Sequence, residues 1–291
     1  MIYKRLGNQM IKFGVAGNSK SFYDEGYTQT IEAASWCKAK GIDVFEYSFG
    51  RGITLNEKTA VNIGKSFKEQ GVEMSVHAPY YINLANPDPE MIQKSYGYIL
   101  SSLKKVKDFG GDRVVVHPAT QGKMAREDAV SLMVENARGL ISVLDEAGYG
   151  EGYKVCFETM GKVAQLGTVD EIIKVCSLDS RFYPCIDFGH INAREQGILK
   201  SAINYNTIIQ KMSDFLPKHK VFNMHVHFSK IEYGPKGELR HLTFQDQKFG
   251  PDYQPLMEVF HAQGLTPYVI CESDGTQAED TVTMKKYFFS L

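Results

Sequence analysis

The sequence predicts a single closed (β/α)8 barrel, the TIM-barrel form of the α/β class, with residues 1–291 as one domain. Three observations predict it. Strand-like and helix-like segments alternate from end to end, eight of each, which implies parallel βαβ units. The chain has a length at which one α/β barrel is common, since such barrels run to about 250 residues. No Gly-x-Gly-x-x-Gly follows the first strand, which weakens an open dinucleotide-binding sheet.

The strands are expected at Lys12–Val15, Asp43–Tyr47, Glu73–His77, Arg113–His117, Lys154–Glu158, Phe182–Asp187, Val221–His227 and Pro267–Glu272. Between and after them, helical periodicity runs over Thr28–Lys40, Asn56–Gln70, Pro89–Phe109, Arg126–Ala147, Val169–Cys176, Leu199–Leu216, Tyr253–Gln263 and Ala278–Phe288. Leu132, Ala137, Leu140, Ile141 and Leu144 have the spacing of a one-faced helix. Gly41, Gly71, Gly148 and Gly264 close helical segments just before the next strand, as C-cap glycines do. The one long stretch without period, Ser229–Pro251, follows strand seven and is expected to be a functional loop at the barrel mouth.

Composition excludes little beyond the extremes. With 33 basic and 34 acidic residues the net charge is −1, so no global field draws the chain to nucleic acid or membrane. A polyanion site would have to be a local patch. No apolar window approaches the ~18 residues of a membrane span, and the N-terminus lacks a signal-peptide core, so the expectation is a cytoplasmic protein with no membrane partner. The cysteines, Cys37, Cys156, Cys176, Cys185 and Cys271, form no Cys-x-x-Cys pair, and buried free thiols are expected.

The ends of the strands carry the chemistry. Six runs finish on a potential ligand: Met74-Ser75-Val76-His77, Val114-Val115-Val116-His117, Val155-Cys156-Phe157-Glu158, Pro184-Cys185-Ile186-Asp187, Phe222-Asn223-Met224-His225 and Val269-Ile270-Cys271-Glu272. A short apolar run needs no polar last residue in order to fold. In a barrel these ends share one face, where active sites are built. His190 follows Asp187 by three residues, His227 follows His225 by two, and His241 lies in the long loop. A lone strand-end His is more often a hydrogen-bonded structural residue, and a lone carboxylate serves equally as a metal-free acid or base. Nine donors on one face exceed the three or four that one zinc takes, and point to two or three metals sharing carboxylates.

These residues resemble the endonuclease IV family of apurinic/apyrimidinic endonucleases. The matching pieces are His77-Ala-Pro-Tyr-Tyr-Ile-Asn-Leu84, Val116-His117-Pro118, Phe157-Glu158-Thr159, Cys185-Ile-Asp-Phe-Gly-His190, Met224-His225 with Ser229-Lys230, Arg240-His241 and Ile270-Cys-Glu272. The resemblance implies a TIM barrel, a zinc cluster and hydrolysis of the phosphodiester 5′ to abasic sites in duplex DNA. It implies that His77 and His117 hold one zinc, bridged by Glu158 to a second held also by Asp187, His225 and Glu272, with His190 and His241 at a third. Glu158 and Glu272 would be the catalytic carboxylates, and manganese could replace zinc. Tyr80 and Tyr81 would enter the DNA at the lesion and Arg51 its base stack. Lys230, Lys236 and Arg240 of the long loop would meet phosphates.

The chain departs from that family at three places. Leu239 stands where the family has an Asp two residues before its last His, and Glu238 is one position off, so only a shifted backbone would bring it in. The family's His-x-Asn-Asp-Ser-Lys is here His225-Val-His-Phe-Ser-Lys230, which leaves His225 and His227 as alternatives for one ligand. The loop Thr159–Gly167 also differs. Two rivals remain: a divalent-metal sugar isomerase or epimerase using Glu158, Asp187, His225 or His227, and Glu272, and a barrel that binds DNA or metal without turnover. The isomerase leaves His77, His117, His190 and His241 without a role.

Overall fold

A computed structural model describes residues 10–291. Eight parallel strands close into a barrel: β1 (Lys12–Ala16), β2 (Val44–Ser48), β3 (Glu73–His77), β4 (Arg113–Val116), β5 (Lys154–Glu158), β6 (Phe182–Asp187), β7 (His225–Phe228) and β8 (Tyr268–Cys271). Each pairs with its sequence neighbours, and β1 closes the ring by pairing with β8. The strands form because β-branched and aromatic residues such as Val114–Val116 are buried on both faces, as parallel sheets under helices require.

Alternate strand residues face opposite ways. The outward set, including Phe13, Val15, Phe45, Val76, Phe157, Ile186 and Val226, joins the helices in the main apolar core. The inward residues Val115, Cys156, Tyr183 and Cys185 make a separate small cluster inside the ring. At the N-terminal end, Lys12, Glu73, Arg113, Lys154 and Tyr268 line a cavity of about 450 Å³ with charge pairs Lys12–Glu73 and Arg113–Asp112, and Arg113 stacks over Tyr268. Such a balanced network at the bottom of a barrel serves stability. All five cysteines are buried and free. No helix among the described residues is long and apolar enough to cross a membrane.

Two segments differ from expectation. Val221 and Phe222 end a short helix, Lys218–Phe222, and β7 starts only at His225. A short apolar run cannot be assigned by period alone, and here the helix won. The stretch expected to be a loop after β7 contains an antiparallel hairpin, Lys230–Gly234 paired with Gly237–Leu242, which folds over the mouth.

The loop after β5 is anchored against this hairpin. Arg194 donates to the carbonyls of Met160, Lys162, Val163 and Gln165, and Arg126 to those of Val163 and Gln165. Arg126 is itself held by Glu171 through two 2.8 Å bonds, and Glu171 also accepts from the backbone N–H of Gly167 and Thr168. Burial opposes ionisation of Glu171, but Arg126 and the two N–H groups outweigh it and lower its pKa. A lowered folded pKa stabilises above the unfolded value, about 4.3, and that contribution is lost as pH falls through the folded one. Glu171→Gln is therefore expected to cost about 2 kcal/mol at pH 7. In urea titrations the gap to wild type should narrow below about pH 4; a gap constant from pH 7 to pH 3 would contradict this.

Candidate metal centre

The mouth of the barrel collects carboxylates and imidazoles around Glu158, at the end of β5 and 1% exposed. Its Oε2 lies 3.3 Å from His77 Nε2 and 3.1 Å from His117 Nε2. Its Oε1 lies 3.0 Å from His227 Nδ1 and 3.3 Å from His190 Nδ1. Four groups of donors result, each with atoms within 4.8 Å of one another: His77–His117–Glu158, Glu158–Asp187–His227–Glu272, His190–Glu238–His241 and Cys185–His225–His227. Glu158 is common to the first two. Two adjoining cavities of about 490 and 380 Å³ open onto the set.

Several of these side chains are fixed by local structure. Asp187 ends β6 and caps the helix Phe188–Arg194, accepting from His190 N–H through Oδ1 at 2.7 Å. That bond turns Oδ2 into the site, where it is buried without a hydrogen-bond partner among the described residues. His77 Nδ1 donates to Ala78 O at 2.9 Å and His190 Nδ1 to Thr159 O at 2.9 Å, which turns each Nε2 inward. His77 Nε2 then faces Glu158, and His190 Nε2 faces Glu238 Oε2 at 3.4 Å. An imidazole nitrogen and a carboxylate oxygen facing each other at these distances share a proton or a metal cation between them. The orphaned Asp187 oxygen and this set of facing imidazole nitrogens and carboxylate oxygens fit a divalent metal, with a backbone carbonyl behind the imidazole as metal-ligating histidines commonly have.

Glu158 is held ionised in spite of its burial: burial opposes the charge, but the His227 and His117 imidazoles keep its carboxyl well below the usual range. Glu272 goes the other way, since burial raises its pKa more than His227 and His241 lower it. Two carboxylates crowded in one buried site gain most from a cation.

The structure brings together His77, His117, Glu158, Asp187, His190, His241 and Glu272 of the residues expected from sequence. His225 stands in a separate buried set with Cys185 and His227. The register sets His227 beside Asp187, while His225 lies one inward position lower, beside Cys185. Of the two alternatives for one ligand, His227 is the one grouped with Glu158, Asp187 and Glu272.

Glu238 reaches His190 because of a bulge. Arg240 pairs with Glu232 and Glu238 with Tyr233, so Leu239 is the extra residue between them. In a regular strand residues 239 and 241 would share a face; the bulge turns Leu239 outward, 62% exposed, and puts Glu238 beside His241. The shifted backbone that the sequence required is present.

Around the mouth, Tyr80 and Tyr81 are 57% and 53% exposed. The Tyr80 ring stands 5.6 Å from His77 and 5.2 Å from His117, and Tyr81 Oη donates to the carbonyl of exposed Arg51 at 3.5 Å. Lys230 corrects an expectation. It is buried, bonded to Asp246 O at 2.7 Å and paired with Asp252 at 3.0 Å, so it anchors its own loop and is not available to a phosphate. Arg240 is exposed at the cavity wall and paired with Glu232, and Lys236 is exposed in the hairpin turn. Lys162 lines the cavity beside His117 and Glu238, and sequence reading passed over it. It also passed over Glu46, a fully buried carboxylate on β2; a charged residue inside Val44-Phe45-Glu46-Tyr47 was the available signal.

The barrel with an acidic and imidazole-rich mouth defines a class, and comparison agrees with it. The chain belongs to the xylose isomerase-like TIM barrel family, whose model matches residues 34–286. It is 30% identical over 280 residues to an uncharacterised protein of Methanocaldococcus jannaschii, covering 96% of this chain and 97% of that one. It is 28% identical over 218 residues to a probable endonuclease 4 of Acholeplasma laidlawii, covering 69% of this chain and 71% of that one. Among solved structures, endonuclease IV from Thermus thermophilus superposes with a TM-score of 0.71 at 17% identity, over 96% of this chain and 100% of that one. A D-psicose 3-epimerase superposes with a TM-score of 0.68 at 14% identity, over 95% and 98%. At such identities the two structures share the fold with this chain.

Proposed function

We propose that the protein is a metal-dependent phosphodiesterase that hydrolyses DNA on the 5′ side of abasic sites. The observation that carries this reading is the run of three donor groups at the mouth, the first two sharing Glu158. A sugar isomerase needs one metal set, and Glu158, Asp187, His227 and Glu272 would provide it, leaving His77, His117, His190, Glu238 and His241 without purpose. That one set, together with the epimerase fold likeness, is what favours the second reading. Similarity to proteins named probable endonuclease 4 favours the first.

Zinc or manganese bound there would lower the pKa of water and neutralise phosphoryl oxygens. Glu158 would lie between the first two groups and hold both in register. Glu272, at the rim and 17% exposed, is placed to orient an attacking water. Tyr80, Tyr81 and Arg51 at the mouth would occupy the gap left by a missing base, where the nucleotide flips at low cost. Lys162 and Arg240 would approach the flanking phosphates.

Metal count separates the two readings. Protein purified after saturation with Zn²⁺ or Mn²⁺ and dialysed should carry three ions per chain by mass spectrometry. Glu238→Gln should lose one of them and keep the others. One ion per chain in the wild type would overturn the nuclease reading in favour of the isomerase.

A further inference from the structure

We infer that Glu46 is a positioning residue that fixes the tautomer of His227 and thereby points one ring nitrogen into the donor cluster. Its carboxylate is wholly buried, on β2 across the ring from β7. Oε1 lies 2.8 Å from His227 Nε2, while the opposite nitrogen, Nδ1, lies 3.0 Å from Glu158 Oε1 and 3.5 Å from Glu272 Oε1. His227 is fully buried, so its ring cannot turn to water. One imidazole thus lies between carboxylates on both sides, and which ring nitrogen keeps its proton when the other is given up decides what the cluster can bind.

Glu46 has the better claim on that proton. Its other oxygen, Oε2, accepts from Ser75 Oγ at 2.8 Å, which fixes the carboxylate plane. His225 Nε2 stands 3.0 Å from the same oxygen but off a hydrogen-bond direction, and neither His225 nitrogen has a hydrogen-bond partner among the described residues. That ring is buried beneath the site, beside Cys185. With the proton on Nε2 toward Glu46, His227 Nδ1 presents a lone pair beside Asp187 Oδ2, which is itself unpartnered. The arrangement is a carboxylate–histidine pair serving a ligand position, which general chemistry associates with about 10–100-fold in metal affinity. His77 and His190 obtain the same service from backbone carbonyls, whereas His227 relies on a side chain from another strand.

This inference rests on the metal-centre reading for its purpose but not for its test. Protein labelled with ¹⁵N in histidine is stripped of metal, and the two ring nitrogens of His227 are assigned through a His227→Gln spectrum. At a pH high enough that the ring carries one proton, the wild type should show Nε2 protonated and Nδ1 bare. Glu46→Met, which removes the acceptor, should move the proton to Nδ1 toward Glu158. Glu46→Gln, which keeps one oxygen for His227, should retain the wild-type tautomer. In parallel, chelator competition with Zn²⁺ should give about 10–100-fold weaker binding in Glu46→Met and near wild-type binding in Glu46→Gln.

A wild-type His227 protonated on Nδ1 would overturn the inference. So would Glu46→Met binding Zn²⁺ as tightly as the wild type. If Glu46→Met does not fold, the wild-type and Glu46→Gln tautomers still decide. A wild type that binds no divalent cation would overturn the metal reading alone, since the tautomer is measured without metal.

Discussion

Glu158→Gln is expected to abolish hydrolysis, lowering the rate by at least about 10³-fold, or roughly 4 kcal/mol. The reason is geometric. Four imidazoles, from His77, His117, His190 and His227, lie within 3.3 Å of its two oxygens. A glutamine keeps the shape but offers one oxygen and an NH₂ group, so one of the two donor groups that share Glu158 meets a donor where it needs an anion. The variant should also hold at least one ion fewer than the wild type, with unchanged far-ultraviolet circular dichroism. Full activity in a variant that has lost no metal would remove Glu158 from the centre of the account.

Gly237→Ala is expected to have the next largest effect. Gly237 sits at the hairpin turn with φ of 89°, and an added Cβ would lie 2.1 Å from the carbonyl oxygen of Gly161. That carbonyl accepts from Glu238 N–H at 3.1 Å, and Val163 N–H donates to Lys236 O at 3.1 Å, so this contact seats the hairpin on the loop after β5. Positive φ and the clash together cost about 3 kcal/mol or more, and the backbone must separate to relieve them. Glu238 and His241 would leave His190 with it. The expected result is a lower Tm, one ion lost, and slower hydrolysis with the other groups still metallated. Wild-type Tm and metal content in this variant would contradict the role given to the hairpin.

The barrel was legible because its elements are local. Period, glycine stops such as Gly41 and Gly71, and caps such as Asn56 are written in neighbouring residues, and the structure has each helix within a few residues of expectation. The strand ends were legible for a similar reason: a polar residue closing an apolar run has few reasons to be there except the mouth. What the sequence hides is height and register. His225 and His227 are both inward on β7, and only pairing with β6 decides which is level with Asp187. Spacing to Ser229-Lys230 pointed to His225 and left His227 open, and the register sets His227 level with Asp187. Glu238 depended on a bulge at Leu239, which no local signal announces. Lys230 looked like a free cation because its partners, Asp246 and Asp252, come from the far end of the same excursion. Glu46 lies mid-strand and acts through His227, so reading strand ends could not find it.

The most direct test is incision of a duplex carrying one abasic-site analogue, labelled at one end so that the cut is mapped. The wild type loaded with Zn²⁺ or Mn²⁺ should cut 5′ to the lesion, leave the matched undamaged duplex intact, and lose this activity in Glu158→Gln. Folded, fully metallated protein that leaves the abasic duplex uncut but interconverts ketose epimers would contradict the account.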